Sequence, residues 1–209
     1  MVEYHKIGTV FERDTTGSKK LIPGKFRNKT VEFLKDNTWV FTEKIDGTNI
    51  RIHWDGHKVE FGGRTERAQI PAPLVNTLNT MFGGQENEEL FEQKFGKNEV
   101  ILFGEGYGAG IQSGGEYRKD VSFILFDVLI GGMFLERENV EDIAKTFGVD
   151  VVPIIGEGTL EDGIRFVRTI PKSTIGTAHM EGVVAKPKVE MRDRMGRRVI
   201  VKIKVKDHA

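Results

Sequence analysis

The sequence contains no cysteine among its 209 residues, which excludes disulfides, thiolate metal sites and cysteine nucleophiles together. It also lacks an apolar run of about 18 residues, so we expect no membrane-spanning helix. The first residues do not follow the basic-then-apolar layout of a secretory signal. The formal net charge is zero, since 31 basic residues balance 31 acidic ones. A protein that coats nucleic acid is expected to be basic instead. These absences favour a globular protein of a reducing compartment, which we expect to be the cytoplasm.

The length allows one full hydrophobic core and hardly two, so we predict a single domain over residues 1–209. Charge is unevenly distributed along this domain. Residues 186–206 are rich in Lys and Arg and contain only two acids, Glu190 and Asp193. A basic region on a neutral protein favours a local site that handles phosphate groups.

Short apolar runs alternate with helical patterns along the chain. Predicted strands cover residues 39–44, 50–54, 58–61, 100–103, 123–130, 182–185 and 199–205. Predicted helices cover 72–81, 86–95, 137–147 and a segment from the capping box at Thr159 to about Val167. Residues 13–29 predict a loop, so residues 1–30 form a partly loop-like N-terminal segment. The whole pattern predicts an α+β fold of mainly antiparallel sheets with flanking helices.

The most informative segment places a lysine at the end of a strand and an Asp-Gly turn directly after it. It reads Glu43-Lys44-Ile45-Asp46-Gly47-Thr48-Asn49. A turn there would leave Lys44 at the sheet edge, pointing into whatever cleft that edge forms. The motif is short, and alone it more often marks an ordinary strand-end lysine before a hairpin.

Four further motifs place charged or aromatic groups at strand ends. Glu105 lies between two glycines, which permit a ligand to approach the backbone closely. Phe126 ends an apolar strand, and Glu181 directly precedes another. Lys202 and Lys204 alternate with apolar residues, so they share one face of their strand. Each motif taken singly favours an ordinary structural role.

In this order, the five motifs resemble the nucleotidyltransferase motifs of ATP-dependent polynucleotide ligases and mRNA capping enzymes, over about three quarters of the chain. The nearest resemblance is to the RNA ligase 2-like branch, because Thr48-Asn49 stands where DNA ligases and capping enzymes usually carry an arginine. That branch commonly has histidine where this chain has Asp46. The resemblance implies a nucleotidyltransferase (adenylyltransferase) domain, and we expect no OB-fold, since only five residues follow Lys204.

The resemblance also implies the chemistry. Lys44 would attack the α-phosphorus of ATP and carry AMP covalently, with Lys202 and Lys204 assisting as catalytic cations. Nearby cations and partial desolvation favour the neutral amine that this attack requires. Mg²⁺ or Mn²⁺ would be held by Glu181 and Asp46, since hard cations prefer oxygen ligands.

By the same resemblance, Glu105 would hold the ribose and Phe126 would stack on adenine. The implied nucleotide-binding residues are Glu43, Lys44, Asn49, Arg64, Glu105, Phe126, Glu181, Lys186, Lys202 and Lys204. AMP would then pass to the 5′-phosphate of an RNA or DNA end, and a 3′-hydroxyl would displace it. We expect a monomer without membrane contact, and the compact layout favours a phage or viral source.

Three alternatives stay open from the sequence: a minimal DNA ligase, a capping-type guanylyltransferase, and a non-catalytic nucleic-acid-binding module. The intact Lys44 motif argues against the last. The glycine-rich residues 104–115 lack the spacing and following helix of a dinucleotide loop.

Overall fold

The computed structural model describes residues 2–209. The chain forms two compact units: unit 1 comprises the N-terminal residues to His5 together with Asp46–Val152, and unit 2 comprises Lys6–Ile45 and Pro153–Ala209. Each unit has its own sheet and its own hydrophobic core. That the two act as one adenylyltransferase domain stays a prediction.

Thirteen strands and six helices follow one another within residues 2–209. The strands are β1 Gly8–Thr9, β2 Phe11–Arg13, β3 Leu21–Phe26, β4 Trp39–Glu43, β5 Thr48–Trp54, β6 Val59–Gly62, β7 Val100–Gly108, β8 Val121–Ile130, β9 Met133–Phe134, β10 Asp150–Val151, β11 Ile154–Gly158, β12 Gly182–Pro187 and β13 Val201–Lys204. The helices are α1 Lys29–Phe33, α2 Ala72–Phe82, α3 Gln85–Phe95, α4 Arg137–Phe147, α5 Leu160–Arg168 and α6 Val205–His208.

Unit 1 is built on a six-stranded sheet in the order β10-β8-β7-β5-β6, with β9 added to β8. All its strand pairs are antiparallel except β10–β8. Helices α2, α3 and α4 pack on one face, where Ile50, Ile52 and Leu102 are fully buried. Because strand side chains alternate, Asn49 and Glu105 lie on the opposite face of the sheet. The candidate polar residues of unit 1 are therefore kept out of its apolar core.

Unit 2 is built on a five-stranded sheet in the order β1-β13-β12-β4-β11, with β2 and β3 forming a separate pair. Helix α5 covers one face, where Ile164 packs with Phe41 and Val183. The capping box that opens α5 is present, with the Thr159 hydroxyl accepting from the Asp162 N–H at 3.2 Å. The order of the sheet places β12 between β4 and β13.

The predicted α+β class with mainly antiparallel sheets is confirmed. Three local predictions were wrong. The strand predicted over 199–205 ends at Lys204, and Val205 begins α6. The predicted 13–29 loop contains β3, and the strand predicted to end at Phe103 continues through its glycines to Gly108. The last two errors have one cause, since glycine lowers strand propensity while tertiary pairing can still extend the strand.

No helix within residues 2–209 is long and apolar enough to cross a membrane. That an OB-fold is missing stays a prediction.

Candidate active site

The structure brings together three of the predicted residues in unit 2: Lys44, Glu181 and Lys204. The Lys44 ammonium donates to Glu181 Oε2 at 2.5 Å, and the Lys204 ammonium donates to Glu181 Oε1. We call these three residues the lysine cluster. One carboxylate therefore bridges two cations, and each of its oxygens accepts from one of them.

The sheet explains why the cluster forms. Gly182 pairs with Lys204 across β12 and β13, and the Lys44 N–H donates to the Gly182 carbonyl at 3.0 Å. Glu181 stands just before the central strand, so its neighbours on both sides are the last residues of β13 and the residue that follows β4. Three motifs that are far apart in the sequence thus converge where the ends of β4, β12 and β13 meet.

Glu181 is partly withdrawn from water, with 18% of its side chain exposed. Burial by itself opposes ionisation, but the positive charges of Lys44 and Lys204 outweigh it and lower the pKa of Glu181. The carboxyl group is therefore ionised at neutral pH. The cluster as described carries two positive charges and one negative charge, which suits it to an anionic ligand.

Gly182 has a conformation and a setting that require glycine. Its φ is 153°, and a Cβ at this position would lie 2.2 Å from the Ile203 carbonyl oxygen and 2.7 Å from Lys204 Cα. Both neighbouring atoms belong to the backbone of β13, so they cannot move aside as a flexible side chain would. The close contact of β12 with β13 beside the cluster depends on this glycine.

The predicted alternation along the last strand is confirmed. Val201 and Ile203 are fully buried in the core, whereas Lys202 and Lys204 are partly buried on the other face. Lys186 lies on that same face, because it is two residues from Val184, which pairs with Lys202. The face opposite α5 is therefore strongly basic.

Glu43 lies on the other side of the sheet from this basic face. Its side chain is buried, with a residue exposure of 1%. Its Oε1 accepts from the Ser173 hydroxyl at 2.5 Å, and its Oε2 accepts from the Thr174 N–H and hydroxyl at 2.9 and 2.5 Å. A nucleotide contact by Glu43 stays a prediction. In the structure its carboxylate binds the 173–174 segment to the end of β4, directly before Lys44.

This role gives a stability prediction. Glu43→Ala is expected to lower the free energy of unfolding by about 3 kcal/mol, because it leaves buried hydroxyl and N–H donors without an acceptor. Urea denaturation measures the change, with Glu157→Ala as the control, since Glu157 is an exposed residue of the same sheet and its carboxylate forms an ion pair with Lys188. Unfolding midpoints that coincide for Glu43→Ala and the wild type would contradict the assignment.

In unit 1, Glu105 lies on β7, which is paired with β5 on one side and with β8 on the other. It pairs with Asn49 on β5 and with Ile124 on β8. The side chains of Glu105 and Asn49 thus stand together on the face opposite the helices. The Asn49 side-chain oxygen is buried and accepts no hydrogen bond within residues 2–209.

A β-bulge aims Phe126 at the same face. The pairing of β7 with β8 shifts there, since Phe103 pairs with Asp127 and Gly104 with Leu125, which leaves Phe126 as the extra residue. A bulge puts two consecutive side chains on one side of a strand and often lies beside an active site. Phe126 is partly exposed as a result, while Asp127 is buried and accepts a hydrogen bond from the Tyr4 hydroxyl at 2.5 Å.

The glycines that flank Glu105 have a different reason from the one predicted. A Cβ at Gly106 would lie 2.4 Å from Leu74 Cδ2, and one at Gly104 would lie 2.3 Å from the Ile124 carbonyl oxygen. They are needed for close packing within unit 1, of α2 on the sheet and of β7 on β8. That they also let a ligand approach the backbone stays a prediction.

The segment after Lys44 is fixed by contacts within unit 1. The Asp46 N–H donates to the Tyr117 hydroxyl at 3.2 Å, and a Cβ at Gly47 would lie 2.3 Å from the Gly106 carbonyl oxygen. Gly47 is therefore required by the close approach of β7. Within the Lys-Ile-Asp-Gly motif, Gly47 has a packing role, whereas a chemical role of Lys44 stays a prediction.

Comparison with known proteins decides the family. Residues 37–204 match the family model described as RNA ligase. The chain belongs to the RNA ligase family. The resemblance to ATP-dependent polynucleotide ligases that the five motifs predicted is confirmed.

Solved structures share the fold of this RNA ligase family member. A variant of Naegleria gruberi RNA ligase with ATP and Mn is 18% identical with a TM-score of 0.68, and another with AMP and Mn is 19% identical with a TM-score of 0.69. Both comparisons cover 99% of this chain and 58% of the Naegleria chain, so the chain spans less than two thirds of these relatives. No curated protein matches the sequence.

The described part of the chain has no cluster of side chains that could hold a metal ion by itself. Within residues 2–209 no three His, Asp or Glu side chains gather to hold a cation. Of the two predicted ligands, Glu181 belongs to unit 2 and Asp46 to unit 1. The donor set therefore fits a hard cation that arrives with phosphate oxygens and needs one carboxylate, and not one held by the protein alone.

Sequence reasoning missed the residue that supports Arg64. Arg64 is exposed, but the buried Arg51 donates to the Gly63 carbonyl at 2.7 Å and to Glu66 Oε1 at 3.1 Å. Arg51 also donates to the Val2 carbonyl at 3.1 Å. A charged residue inside the strand 50–54 was the available signal, because a buried arginine must be satisfied by several acceptors.

Proposed function

We propose that this RNA ligase family member is an ATP-dependent RNA ligase that forms a covalent lysyl-AMP at Lys44. The observation that carries the proposal is the lysine cluster, in which a strand-end lysine lies beside a carboxylate and a second lysine. A nucleophilic amine needs neighbours that favour its neutral form and a group that keeps it oriented. Lys204 supplies the neighbouring charge, and Glu181 supplies the orientation.

The first step joins Lys44 Nζ to the α-phosphorus of ATP. The bond from that phosphorus to the bridging oxygen breaks, and pyrophosphate leaves with the bonding electrons. Lys44 must lose a proton to solvent before it attacks, and in the free protein its ammonium is held by Glu181 at 2.5 Å. Lys204 and Lys202, on one face of β13, then offset the negative charge that grows on the phosphate oxygens.

In this proposal, residues of unit 1 supply the contacts to adenine and ribose. Phe126 offers a partly exposed ring for adenine, and Glu105 with Asn49 offers acceptors for the ribose hydroxyls. Arg64 and Lys186 stay proposed phosphate contacts. The Naegleria variants with ATP or AMP support an adenine nucleotide as the donor.

A divalent cation, Mg²⁺ or Mn²⁺, is proposed to accompany the nucleotide. Its chemistry is to neutralise the triphosphate and make pyrophosphate a better leaving group. Glu181 is the carboxylate of this chain that fits such an ion, and Asp46 stays a second proposed ligand. The Naegleria variants with Mn support this part of the proposal.

The later steps move AMP from Lys44 to the 5′-phosphate of an RNA end, which forms a phosphoanhydride. The 3′-hydroxyl of the adjoining end then attacks the 5′-phosphorus, and AMP leaves. Each displacement passes charge through phosphate oxygens, so the same lysines serve every step.

A sealing assay tests the proposal. The wild-type protein is incubated with ATP, Mg²⁺ and nicked duplexes whose broken strand is RNA, DNA or one of each, and products are separated on a denaturing gel. We expect the RNA nick to be joined. Joining of DNA alone would favour the DNA ligase alternative, and labelling of the protein by GTP in place of ATP would favour the capping enzyme.

A further inference from the structure

The hairpin of β2 and β3 in unit 2 carries a large excess of positive charge. Residues 13–29 contain a single acid, Asp14, and six basic residues. The basic residues are Arg13, Lys19, Lys20, Lys25, Arg27 and Lys29. We call the turn between the two strands, residues 14–20, the tip loop. Such a local excess of one charge attracts anions, and phosphate groups above all.

The tip loop is preformed by its acid. Asp14 Oδ1 accepts from the N–H and the hydroxyl of Thr16, both at 2.9 Å, and Oδ2 accepts from the N–H and the hydroxyl of Ser18 at 2.8 and 3.0 Å. The N–H groups of Thr16 and Ser18, and then their hydroxyls, lower the pKa of Asp14 well below its usual range. The carboxylate is therefore ionised and engaged within the loop, so a ligand need not order this segment.

Arg13 fastens the tip loop beside the lysine cluster. Its Nη1 donates to the Lys19 carbonyl at 2.8 Å, and its Nη2 donates to Asp207 Oδ2 at 2.9 Å. Asp207 belongs to α6, which begins directly after Lys204. The Asp207 side chain is only 8% exposed, so this ion pair is largely shielded from water. One arginine side chain thus spans the distance from the tip loop to the helix that adjoins the cluster.

The direction of the chain places the tip loop at the same end of the sheet. β1 pairs with β13 in parallel, and β2 follows β1 after one residue. The chain from β1 into β2 therefore proceeds towards the end of β13 that carries Lys204, and the tip loop comes directly after β2.

Two lysines of the tip loop are left for a ligand. Lys19 and Lys20 are exposed, and neither forms an ion pair within residues 2–209. Lys25 of the same hairpin differs from them, because it pairs with Glu12. The φ of Lys19 is 55°, a left-handed conformation that is uncommon for a lysine. Two neighbouring ammonium groups on a fixed backbone are suited to phosphates that are spaced along a nucleic-acid strand.

We propose that Lys19 and Lys20 of the tip loop bind the phosphate backbone of the RNA strand next to the end that reacts at the lysine cluster. This inference rests on the proposed ligase function, and it names a surface of unit 2 that holds the substrate. It predicts weaker RNA binding when these lysines are removed. It predicts no effect on the reaction of Lys44 with ATP, because no nucleic acid takes part in that step.

The test compares Lys19→Gln/Lys20→Gln with a control of equal charge, Lys25→Gln/Lys188→Gln. The control lysines are exposed residues of unit 2 that pair with Glu12 and Glu157. Fluorescence anisotropy with a 5′-phosphorylated nicked RNA duplex, without ATP, gives Kd over a range of salt concentrations. We expect the tip-loop variant to bind about tenfold more weakly, and its slope of log K against log salt to be smaller by roughly 1.5, as the loss of two phosphate contacts requires.

Single-turnover AMP uptake over a range of ATP concentrations is the accompanying readout. Equal rates and equal ATP dependence for the wild type and both variants, with weaker RNA binding by the tip-loop variant alone, are the expected result. Equal Kd values and salt slopes for the two double variants would overturn the inference. A higher ATP requirement in the tip-loop variant would also overturn it, since the loop would then serve the nucleotide. A wild-type protein that takes up no AMP would instead overturn the proposed function, while the binding comparison would still report on the tip loop.

Discussion

Lys204→Ala is expected to slow the single-turnover adenylylation of Lys44 about a hundredfold, since the loss of one stabilising contact in a desolvated site costs on the order of 3 kcal/mol. Lys204 shares the Glu181 carboxylate with Lys44, and its side chain is only 16% exposed. Removing it takes away a cation that lies beside Lys44 and a partner for the developing phosphate charge.

Lys206→Ala is the matched control for this experiment, because Lys206 is an exposed lysine two positions further along the chain. It should react at nearly the wild-type rate, since exposed substitutions of this kind rarely exceed about 0.5 kcal/mol. Rapid quenching with labelled ATP gives the rates, and circular dichroism checks the fold. Equal rates for both variants would make Lys204 a solvated strand residue without a chemical role.

Gly182→Ala is expected to damage both stability and activity. The added Cβ would meet the backbone of Ile203 and Lys204 at 2.2 and 2.7 Å, so β12 and β13 must move apart. Strain at such a position costs about 1–3 kcal/mol. The movement also separates Glu181 from Lys204, so adenylylation should fall at least as far as in Lys204→Ala even where the protein is folded.

Gly156→Ala provides the comparison for Gly182→Ala. Gly156 lies in β11 of the same sheet, and a Cβ there would meet nothing within 4 Å. Urea denaturation and single-turnover rates are measured for both variants. A Gly182→Ala protein that is as stable and as fast as Gly156→Ala would show that the strand contact is not needed.

The sequence predicted the elements whose signals are local. The period-two pattern of Val201–Lys204 gave the face of each lysine correctly, and the capping box at Thr159 gave the start of α5. The order of the motifs pointed to the ligase family, and β4 and β12 proved to be neighbours in one sheet. These signals are carried by residue type and spacing, which a single sequence contains.

The rest depended on pairing between distant segments. Neither the bulge at Phe126 nor the extension of β7 to Gly108 could be predicted, because each is set by the register of β7 against β8. The partners of Glu43 and the acceptors of Arg51 lie far from them in sequence or in loops without a pattern. A buried charged residue indicates that it has partners, but these partners can be identified only from the three-dimensional structure.

The most direct measurement of the central claim is the site of AMP attachment. The protein is incubated with ATP and Mg²⁺, its intact mass is determined, and proteolytic peptides are mapped for the adduct. Lys44→Ala is compared with Lys35→Ala, a lysine of unit 2 that pairs with Asp36 outside the cluster. We expect one AMP on the wild type and on Lys35→Ala, attached at Lys44, and none on Lys44→Ala. An AMP adduct that persists in Lys44→Ala, or that maps to another residue of the wild type, would contradict it.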